Sequence, residues 1–408
     1  MITGFSVRNF KVLAAVPRAG QDLIPFGPLN VLIGPNGSGK SSLLQAIDFL
    51  RAFFRTSVEV YLTERGWEYR DLPNLRQTSK TIRWDLTAML DANDEGVGGG
   101  EYRYTVTLQP HRHLGVGMEQ VRWTEPSGKS RLLLDRRGRG CGYLDRRTET
   151  FEKLKVVGLP ASIMSRFDSQ RDKQRFPELL RFRDWIEGFR SYLIWDPKVL
   201  RTPSRGPHEL GQSGENLASI VGRLKDKDPR SFERLVKRLR RLFPTLSDIS
   251  VSGRGWGWRS LRLYEGDGHQ VEFSSRQMSD GVLRLLAVTG LLYVERPPSL
   301  ITFEEPENGV HPQLIGEVVQ ILRELTQRKP PHRCQVFFST HSPYVLDEFF
   351  DHPEEVYCIE RSRPKVGAEV VRLSENKQLR IARDTFEHSL GEAWITGLLG
   401  ATAGVRSR

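Results

Sequence analysis

The sequence predicts an α/β fold, because apolar strands alternate with helices in the first and the last parts of the chain. The first observation is the segment "PLNVLIGPNGSGKSSLLQAIDFL", residues 28–50, which has the pattern of a strand, a glycine-rich turn and a helix with apolar residues at helical spacing. The second is the final third, where "SLITFEE", a helix from about residue 312 to 327, "QVFFSTHSP" and "EVYCIER" follow one another. Both segments favour the same fold class.

The middle of the chain has a different pattern. The alternating segments "TIRWDLTAML" and "EYRYTVTLQ", joined by the loop "DANDEGVGGG", predict a hairpin. From about residue 115 to 263, short strand signals, a basic turn "DRRGRGCG" and charged helical stretches predict an inserted region. The predicted organisation is an N-terminal lobe, an inserted α/β region with basic helices, a C-terminal lobe and a tail, at residues 1–114, 115–263, 264–376 and 377–408.

Length and composition predict a soluble cytoplasmic protein without a membrane partner. The chain has 408 residues, of which 38% are hydrophobic, and can bury a large core. The longest apolar run, "VLRLLAVTGLLYV", contains Arg284 and is too short to cross a bilayer, and the first residues lack the pattern of a signal peptide. Cys141, Cys334 and Cys358 form no Cys-x-x-Cys pair, so neither a disulfide framework nor a zinc site is expected.

The net charge of +11 makes phosphate-rich partners such as DNA a hypothesis for this chain. The helical stretch "DPRSFERLVKRLRRLFP" carries part of that charge opposite an apolar stripe. The stripe and the basic arc consist of Phe232, Leu235, Val236, Leu239 and Phe243, and of Arg230, Arg234, Lys237, Arg238 and Arg241. A solvated helix face would give the same pattern, so the sequence leaves both interpretations open.

The segment "GPNGSGKS", residues 34–41, matches the P-loop pattern between a predicted strand and a predicted helix, which is the context that the motif requires. Its glycines let backbone N–H groups turn towards phosphates, Lys40 reaches the terminal phosphates, and the Ser41 hydroxyl binds Mg²⁺. The motif therefore predicts a nucleotide and Mg²⁺ as ligands. The predicted nucleotide-binding residues are Gly34, Pro35, Asn36, Gly37, Ser38, Gly39, Lys40, Ser41 and Ser42.

Two adjacent glutamates follow an apolar strand in "ITFEEPENGVHP", residues 301–312. Neighbouring carboxylates repel each other and are costly to desolvate, so we expect a cation or a proton-transfer task there. A P-loop protein needs an acidic residue at the end of a neighbouring strand to hold Mg²⁺, and Glu304 fits that role. Glu305, which strand alternation aims elsewhere, is predicted to be the general base that deprotonates the attacking water. A solvated strand end is the alternative.

Two further segments support a nucleotide-hydrolysis site. The apolar strand in "VFFSTHSP" leads to His341, whose imidazole is predicted to sense the terminal phosphate or the attacking water. In "SSRQMSDGVLRLLA", Ser279, Asp280 and Gly281 precede an apolar helix, which by itself predicts only a helix N-cap. The predicted catalytic residues are Glu305, His341 and Lys40.

The order of these motifs resembles the ABC-type ATPases of the RecF, SMC and OLD group, and in particular stand-alone bacterial AAA-family ATPases with "EEPENGVHP" and "SDGVLRLLA" segments. The resemblance covers nearly the whole chain and includes "FSVRNFKVL", "SGENLASIVGRL" and the tail "SLGEAWITGLLG". It implies an ABC-type P-loop ATPase head that is split by a long α+β insertion. It also implies a head-to-head homodimer, or a higher homo-oligomer, that closes over ATP.

The resemblance implies roles for single residues as well. Ser279 and Gly281 of one subunit would cap the nucleotide of the other, with Ser279 near the terminal phosphate. Gln77, in "NLRQTSK", would couple Mg²⁺ to the inserted region, so that the expected metal ligands are Ser41, Glu304 and Gln77. The residues expected beside the nucleotide or at the subunit contact are Asn9, Lys11 and Asn308.

The chain departs from this group at several positions. Glu304 replaces the usual aspartate, and the extra methylene would alter Mg²⁺ coordination and slow turnover, although related sequences share this feature. Asp280 stands where transporter-type signatures carry glycine, and the zinc-hook cysteines and long coiled coils of DNA-tethering relatives are missing. The 67 residues after His341 are too few for the nuclease domain of OLD proteins, so we expect any nuclease to be a separate protein.

Two functions of different classes are compatible with these motifs. The first is Mg²⁺-dependent ATP binding and hydrolysis that drives head-to-head dimer closure in a DNA-associated role, such as phage defence or DNA repair. The second is an ATP-sensing scaffold with little turnover that holds a separate toxin or nuclease effector, for which Glu304 is the motivating residue. A GTPase is disfavoured because the only Asn-Lys, at Asn376, lacks the following x-Asp. Membrane transport is disfavoured because no hydrophobic inserted surface is evident.

Overall fold

The structure is a computed structural model. It describes residues 1–17, 23–54, 58–93, 96–110, 114–155, 161–193, 196–206, 209–253, 256–266, 270–294, 297–329, 332–363, 367–387 and 389–400. Within these ranges the strands form three sheets, of nine, six and three strands. The end of the predicted tail, residues 401–408, lies outside the described residues.

The six-stranded sheet contains the strands that precede the predicted site motifs. Its strands are β4 (Leu29–Ile33), β11 (Phe189–Tyr192), β15 (Leu300–Glu304), β16 (Gln335–Ser339), β17 (Val356–Arg363) and β18 (Gly367–Arg372). Among the described residues, their order in the sheet is β11-β15-β16-β4-β17-β18. All neighbours are parallel except β17 and β18. This mostly parallel sheet confirms the predicted α/β class.

The central strands of this sheet are buried on both faces. Every residue of β4 and of β16 is buried, as parallel strands that are covered on both sides require. Alternate residues contribute to two separate apolar cores, because successive side chains of a strand point to opposite faces. Leu32 and Phe337 lie in one core, and Val31 and Phe338 lie in the other.

The nine-stranded sheet is antiparallel and covers one of these cores. Its strands are β1 (Ile2–Phe10), β2 (Leu13–Val16), β3 (Ile24–Pro25), β5 (Ile82–Leu90), β6 (Gly100–Pro110), β7 (Leu114–Thr124), β8 (Ser130–Arg137), β9 (Gly140–Asp145) and β10 (Thr150–Lys155). The predicted hairpin is confirmed as β5 and β6, which pair from Ile82 with Leu108 to Leu90 with Gly100. Their alternating large side chains, such as Trp84 and Tyr104, are buried.

The nine-stranded sheet crosses the predicted boundary between the N-terminal lobe and the inserted region. β7 begins at residue 114 and pairs with β6 along its length. Strands on both sides of that boundary therefore belong to one sheet. The inserted segment also adds β11 to the edge of the parallel sheet, next to β15. The division of the chain at residues 114, 263 and 376 stays a prediction.

The third sheet and most helices pack on the other core. The three-stranded sheet consists of β12 (Leu246–Gly253), β13 (Arg259–Glu265) and β14 (Val271–Ser274), with β13 in the middle. The helices are α1 (Lys40–Phe49), α2 (Val58–Glu64), α3 (Pro177–Glu187), α4 (Pro197–Leu200), α5 (Leu217–Lys227), α6 (Pro229–Leu242), α7 (Asp280–Leu291), α8 (Ile315–Thr326), α9 (Pro343–Asp347), α10 (Leu379–Thr385) and α11 (Leu390–Ile395). The helix expected from residue 312 begins as a 3-10 turn, Pro312–Leu314, and continues as α8.

The basic arc that we predicted on α6 is solvated only in part. Arg230, Arg234, Lys237 and Arg241 are exposed, but Arg238 is buried. The Arg238 guanidinium donates to Glu317 and to both carboxylate oxygens of Glu324 on α8. The prediction was wrong for this residue because the sequence pattern does not reveal that α8 packs beside that edge of α6.

Candidate active site

The three predicted motif strands end at one edge of the six-stranded sheet. β15, β16 and β4 are parallel neighbours, with Glu304 opposite Ser339 and Ser339 opposite Leu32. Because the carboxyl ends of parallel strands meet at the same edge, the loops that follow them are brought together. The P-loop, the two glutamates and His341 therefore share one region, although they come from distant parts of the chain.

The P-loop, residues 34–42, has a backbone that depends on glycine. Gly34, Gly37 and Gly39 have φ angles of 149°, 75° and 117°, where a side chain is unfavourable. A Cβ added to Gly34 would lie 2.4 Å from Ile359 O, so a larger residue would displace backbone. Around Gly37 the described residues leave open space, since a Cβ there would have no neighbour within 4 Å.

The other residues of the loop include one hydroxyl that is available to a ligand. Pro35 is half-buried, Asn36 is exposed and Ser42 is buried. Ser38 Oγ is buried and has no hydrogen-bond partner among the described residues. Helix α1 begins at Lys40, within this segment, and a helix N-terminus presents free N–H groups and positive potential. An open glycine-rich turn with an unpaired hydroxyl fits an oxyanion such as a phosphate.

Lys40 folds back onto the loop that precedes it. Its Nζ donates to Gly34 O at 2.7 Å and to Pro35 O at 3.2 Å. Burial lowers the pKa of Lys40 to about 8, although Glu305 and Glu304 act in the opposite direction. The ammonium group is therefore held by neutral carbonyls, which are weaker acceptors than a charged oxygen.

Ser41 and Glu304 form one hydrogen-bonded pair at the centre of the site. The Ser41 hydroxyl donates to Glu304 Oε2 at 2.9 Å, and Gln45 Nε2 lies 3.4 Å from Glu304 Oε1. Lys11 Nζ donates to Gln45 Oε1 at 2.8 Å and lies 3.2 Å from the centre of the Trp67 ring. Sequence reasoning did not select Gln45. Its spacing of four residues from Ser41, which places both on one helix face, was a usable signal.

The Ser41 and Glu304 oxygens fit the donor preference of Mg²⁺. This ion takes hard oxygen ligands and usually keeps several waters beside one or two carboxylates. Within the described part of the chain, no group of three or more His, Cys, Asp and Glu side chains could hold a metal. A metal at this edge would therefore depend on the Ser41 hydroxyl, the Glu304 carboxylate, water and a ligand's own oxygens.

Glu305 lies beside His341 and has a constrained backbone conformation. Its φ of 48° is uncommon for a residue other than glycine. The conformation is held by its N–H, which donates to Ser339 O at 3.0 Å, and by its carbonyl, which accepts from Asn308 N at 3.0 Å. Glu305 Oε1 lies 3.6 Å from His341 Nε2. Burial and the nearby Lys40 lower the pKa of His341, against the effect of Glu305, so the imidazole is neutral at pH 7.

Glu307 is a buried carboxylate that sequence reasoning missed. Thr340 Oγ1 donates to its Oε1 at 2.6 Å, and Ser342 N donates to Thr340 Oγ1 at 2.9 Å. The other oxygen, Glu307 Oε2, is buried without a partner among the described residues. Burial raises the pKa of Glu307. Its position two residues after Glu305 was the only signal, because nothing in the sequence indicates that Thr340 lies within reach.

Ser279 and Gly281 lie at the start of α7. Ser279 caps the helix, with Oγ accepting from Val282 N at 3.3 Å, and both Ser279 and Asp280 are exposed. None of the described hydrogen bonds joins them to the P-loop. A Cβ added to Gly281 would lie 3.5 Å from Gly309 O. The start of α7 therefore lies next to the loop that contains Glu305.

Gln77 lies half-buried in the loop before β5. Its N–H donates to Asn74 O at 3.2 Å, and its carbonyl accepts from Lys80 Nζ at 3.0 Å. Asn9 fastens this loop to β1, because its Nδ2 donates to the carbonyls of Ser79 and Thr81. These contacts do not join Gln77 to Ser41 or Glu304. Its role as a magnesium ligand stays a prediction, as do the roles of Asn9 and Lys11 beside a nucleotide.

Among the described residues, no helix is both long and apolar enough to span a membrane.

Comparison with protein-family models gives a match over most of the chain. A model described as "AAA domain, putative AbiEii toxin, Type IV TA system" matches residues 29–138 and 151–347. These two segments contain the P-loop, both glutamates and His341. The curated protein "OLD nuclease" from Thermus scotoductus is 22% identical to the chain over an alignment of 407 residues. The match covers 95% of this chain and 67% of that protein.

Solved structures of Smc head domains have a similar fold. The crystal structure of the SmcHead bound to the C-winged helix domain of ScpA covers 91% of this chain and 97% of its own, with a TM-score of 0.51 and 13% identity. The Smc head domain with an extended coiled coil, bound to the C-terminal domain of ScpA derived from Pyrococcus furiosus, covers 94% of this chain and 99% of its own, with a TM-score of 0.51 and 15% identity. At these identities the likeness concerns the fold.

Proposed function

Because the chain belongs to the family described as "AAA domain, putative AbiEii toxin, Type IV TA system" and to the ABC-type group of RecF-, SMC- and OLD-like ATPases, we propose that it binds ATP with Mg²⁺ and hydrolyses the ATP. The proposal rests on the edge of the sheet where the carboxyl ends of β15, β16 and β4 meet. There the Ser41 hydroxyl lies 2.9 Å from Glu304, and His341 lies 3.6 Å from Glu305. A P-loop ATPase needs such a hydroxyl and such carboxylates beside its phosphate-binding turn.

In the proposed reaction, the P-loop binds the phosphates of ATP. The backbone N–H groups around Gly37 and the Ser38 hydroxyl donate to phosphate oxygens, since that side of the loop is open and the hydroxyl has no described protein partner. Lys40 exchanges the carbonyls of Gly34 and Pro35 for the terminal phosphates, because a charged acceptor makes the stronger hydrogen bond.

Ser41 and Glu304 are the residues that would hold Mg²⁺, which when bound supplies positive charge beside the β- and γ-phosphate oxygens. Gln45 and Lys11 position the Glu304 carboxylate. Gln45 lies 3.4 Å from its Oε1 and is itself held by the Lys11 ammonium at 2.8 Å. This chain of contacts links Glu304 to the Trp67 ring.

Glu305 takes a proton from the attacking water in the proposed hydrolysis. The water oxygen bonds to the γ-phosphorus while the bond from that phosphorus to the bridging oxygen breaks, which yields ADP and phosphate. His341 is neutral at pH 7 because its pKa is lowered. A neutral imidazole leaves the Glu305 charge available to the water and still donates one hydrogen bond.

We also propose that ATP closes a head-to-head homodimer and that hydrolysis reopens it. The support is the exposed position of Ser279 and Asp280 at the N-terminus of α7, since a helix N-terminus favours an anion. Gly281 lies next to Gly309, in the loop that follows Glu305. A nucleotide carried by the partner subunit would be contacted there by Ser279, next to the loop that follows Glu305.

The experiment that tests hydrolysis is Mg²⁺-dependent ATP turnover of wild type and of Glu305→Gln. We expect the variant to bind ATP and to turn it over about a hundredfold more slowly, since a general base contributes that much or more. Glu354→Gln is the matched control, because it removes an exposed carboxylate from the turn before β17, away from the P-loop edge. Equal turnover of wild type and Glu305→Gln would contradict the proposal. Light scattering of Glu305→Gln with bound ATP tests the dimer, and a strict monomer would contradict closure.

A second candidate function is an ATP-sensing scaffold that holds a separate toxin or nuclease. The observation that favours it is Glu304, whose longer side chain already satisfies Ser41 and Gln45. A site saturated in this way would bind ATP and turn it over slowly. ATP binding by wild type without turnover, together with co-purification of a neighbouring gene's product, would support the scaffold. Fast turnover by the isolated protein would contradict it.

A DNA-associated role, in phage defence or in DNA repair, is part of the proposal. It is supported by the net charge of +11 and by the likeness to an OLD nuclease and to Smc heads. Turnover measured with and without DNA at low salt tests it, since phosphate contacts weaken steeply as salt rises. A rate that DNA does not change would argue against this role.

A further inference from the structure

Two tryptophans project from one end of the three-stranded sheet. Trp256 stands before β13 with 94% of its surface exposed, and its φ of 48° is uncommon for a residue with a side chain. Trp258, two residues on, is 39% exposed. Large aromatic side chains contribute most when they are buried. An indole left in water on a strained backbone is therefore not explained by the stability of the fold.

An arginine lies against one of these indoles, that of Trp258. The guanidinium of Arg205 is 5.3 Å from the centre of the Trp258 ring, within the range of a cation–π contact. It is placed there by backbone pairing of Ser204 with Arg259, in which each N–H donates to the other's carbonyl at 2.9 Å. Arg205 is exposed, so its charge is accessible to a ligand.

The face of the sheet that continues from Trp258 is polar. By strand alternation, Trp258 lies on the same side as Ser260 and Arg262, whereas Leu261 and Leu263 lie in the core. Ser260 Oγ lies 2.8 Å from Ser252 Oγ, and Arg262 Nε lies 3.2 Å from the same Ser252 hydroxyl. Ser260 is buried beneath this face and Arg262 pairs with Glu272, so Arg205 is the cation that stands beside Trp258 and is accessible to a ligand.

We propose that Trp256, Trp258 and Arg205, here called the indole tip, contact nucleic acid with unpaired bases. An indole stacks on the face of any accessible base, and an arginine beside it neutralises the adjoining phosphate. The net charge of +11 favours a polyanion over a protein partner of mixed charge. In an intact duplex the base faces are covered by their neighbours, so a projecting indole matches a single strand better. This inference rests on the DNA-associated part of the proposed function.

The indole tip is joined to the exposed start of α7. The segment that contains Arg205 also contains Arg201, which forms an ion pair with Asp280 and donates to Met278 O at 2.9 Å. The Arg201 carbonyl accepts from Ser275 Oγ at 2.7 Å. Nucleic acid held at the tip would therefore contact the same segment that holds Asp280 and Met278. Through this connection, nucleic acid at the indole tip would change ATP turnover.

The experiment measures binding of a labelled oligothymidine, and of a duplex of equal length, to the full chain at low salt by fluorescence anisotropy. We expect Trp256→Ala to weaken oligothymidine binding about tenfold, as loss of one stacked base does, and to affect the duplex less. Arg205→Ala should reduce the slope of log affinity against log salt by about 0.7, the value for one single-strand phosphate contact. Phe151→Ala is the matched control, because it truncates a half-exposed aromatic on β10, in another sheet.

Each alternative outcome is distinguishable. If wild type binds oligothymidine but Trp256→Ala binds equally well, the indole tip is not the contact, although the DNA-associated role stands. If Trp256→Ala weakens the binding of oligothymidine and of the duplex equally, unpaired bases are not what the tip recognises. If wild type binds neither probe, the inference and the DNA-associated role both fail. Basal ATP turnover, measured without nucleic acid, shows that each variant is folded and tests the ATPase proposal separately.

Discussion

Thr340 Oγ1 donates a hydrogen bond of 2.6 Å to Glu307 Oε1, and this bond ties the loop after β15 to the loop after β16. The first loop contains Glu305 and the second contains His341, whose side chains lie 3.6 Å apart. A buried hydrogen bond between neighbouring residues therefore helps to fix the distance between the two proposed catalytic groups. Glu307 and Thr340 are positioning residues in this arrangement, since neither is proposed to touch the substrate.

Replacement of Thr340 by valine should destabilise the protein. The variant removes the donor to Glu307 and the acceptor of Ser342 N at nearly constant volume, and a buried polar group left unpaired costs about 1–3 kcal/mol. The measurement is the free energy of unfolding in urea. Thr63→Val, at an exposed helical threonine, is the control and should change it by less than about 0.5 kcal/mol. Equal effects of the two variants would contradict the role of Thr340.

Replacement of Glu307 by glutamine should change how stability depends on pH. Burial raises the pKa of Glu307 from its usual value of 4.5, so the folded protein binds more protons than the unfolded chain above that pH. Its contribution to stability is present below pH 4.5 and is lost as pH rises through the raised pKa. The difference in unfolding free energy, wild type minus Glu307→Gln, should therefore fall with rising pH in urea titrations. A difference that does not vary with pH would contradict this assignment.

ATP affinity should fall as pH rises above about 8. Burial lowers the pKa of Lys40 to about 8, and contact with phosphate would raise it, so binding takes up a proton in that range. Titration calorimetry in two buffers of different ionisation enthalpy measures the uptake directly. The pKa of Lys11 is also about 8, so Lys11→Met serves as the control and should keep the uptake. Loss of proton uptake in Lys11→Met would assign the effect to Lys11 instead.

Replacement of Gly34 by alanine should weaken ATP binding. The added Cβ would lie 2.4 Å from Ile359 O and would displace the start of the P-loop. We expect about tenfold weaker ATP binding or more, since a distortion that costs ~1.4 kcal/mol has that effect. Gly128→Ala is the control, because Gly128 has a φ of 90° with no neighbour within 4 Å of a Cβ. That variant should lose about 1 kcal/mol of stability and keep its ATP affinity.

Replacement of Arg238 by alanine should destabilise the contact between α6 and α8. Arg238 is buried, and its removal leaves Glu317 and Glu324 partly buried without their partner. Because both carboxylates retain some exposure to water, we expect a loss of about 2 kcal/mol in urea unfolding rather than the larger cost of a fully buried pair. Arg241→Ala, on the exposed face of the same helix, should change stability by less than about 0.5 kcal/mol. Similar losses of stability in the two variants would contradict the structural role assigned to Arg238.

The sequence was sufficient for the α/β class because its signals are local. The strand, turn and helix around Lys40 follow one another directly, and an apolar run ends at Glu304. The hairpin of β5 and β6 was equally predictable, since its alternation fixes which side chains are buried. Each of these predictions uses residues that are close together in the chain.

The features that the sequence did not predict depend on contacts between segments that are far apart in the chain. Arg238 has the pattern of a solvated arginine until α8 is packed beside it, and Glu307 becomes a buried acceptor only because Thr340 comes within 2.6 Å. Likewise, no local signal shows that β11, from the middle of the chain, pairs with β15. The contacts of Gln77 belong to the same class, because they depend on an approach that the sequence pattern does not specify.

The place of β4 in its sheet has a consequence for synthesis of the chain. β4 occupies residues 29–33, yet both of its neighbours, β16 and β17, come from residues 335–363. A growing polypeptide on the ribosome therefore has an unpaired strand, apolar except for Asn30, and no formed P-loop edge, until those late segments emerge. Competence to bind nucleotide arises only near the end of translation, and a chain that stops before residue 335 remains unable to form the site.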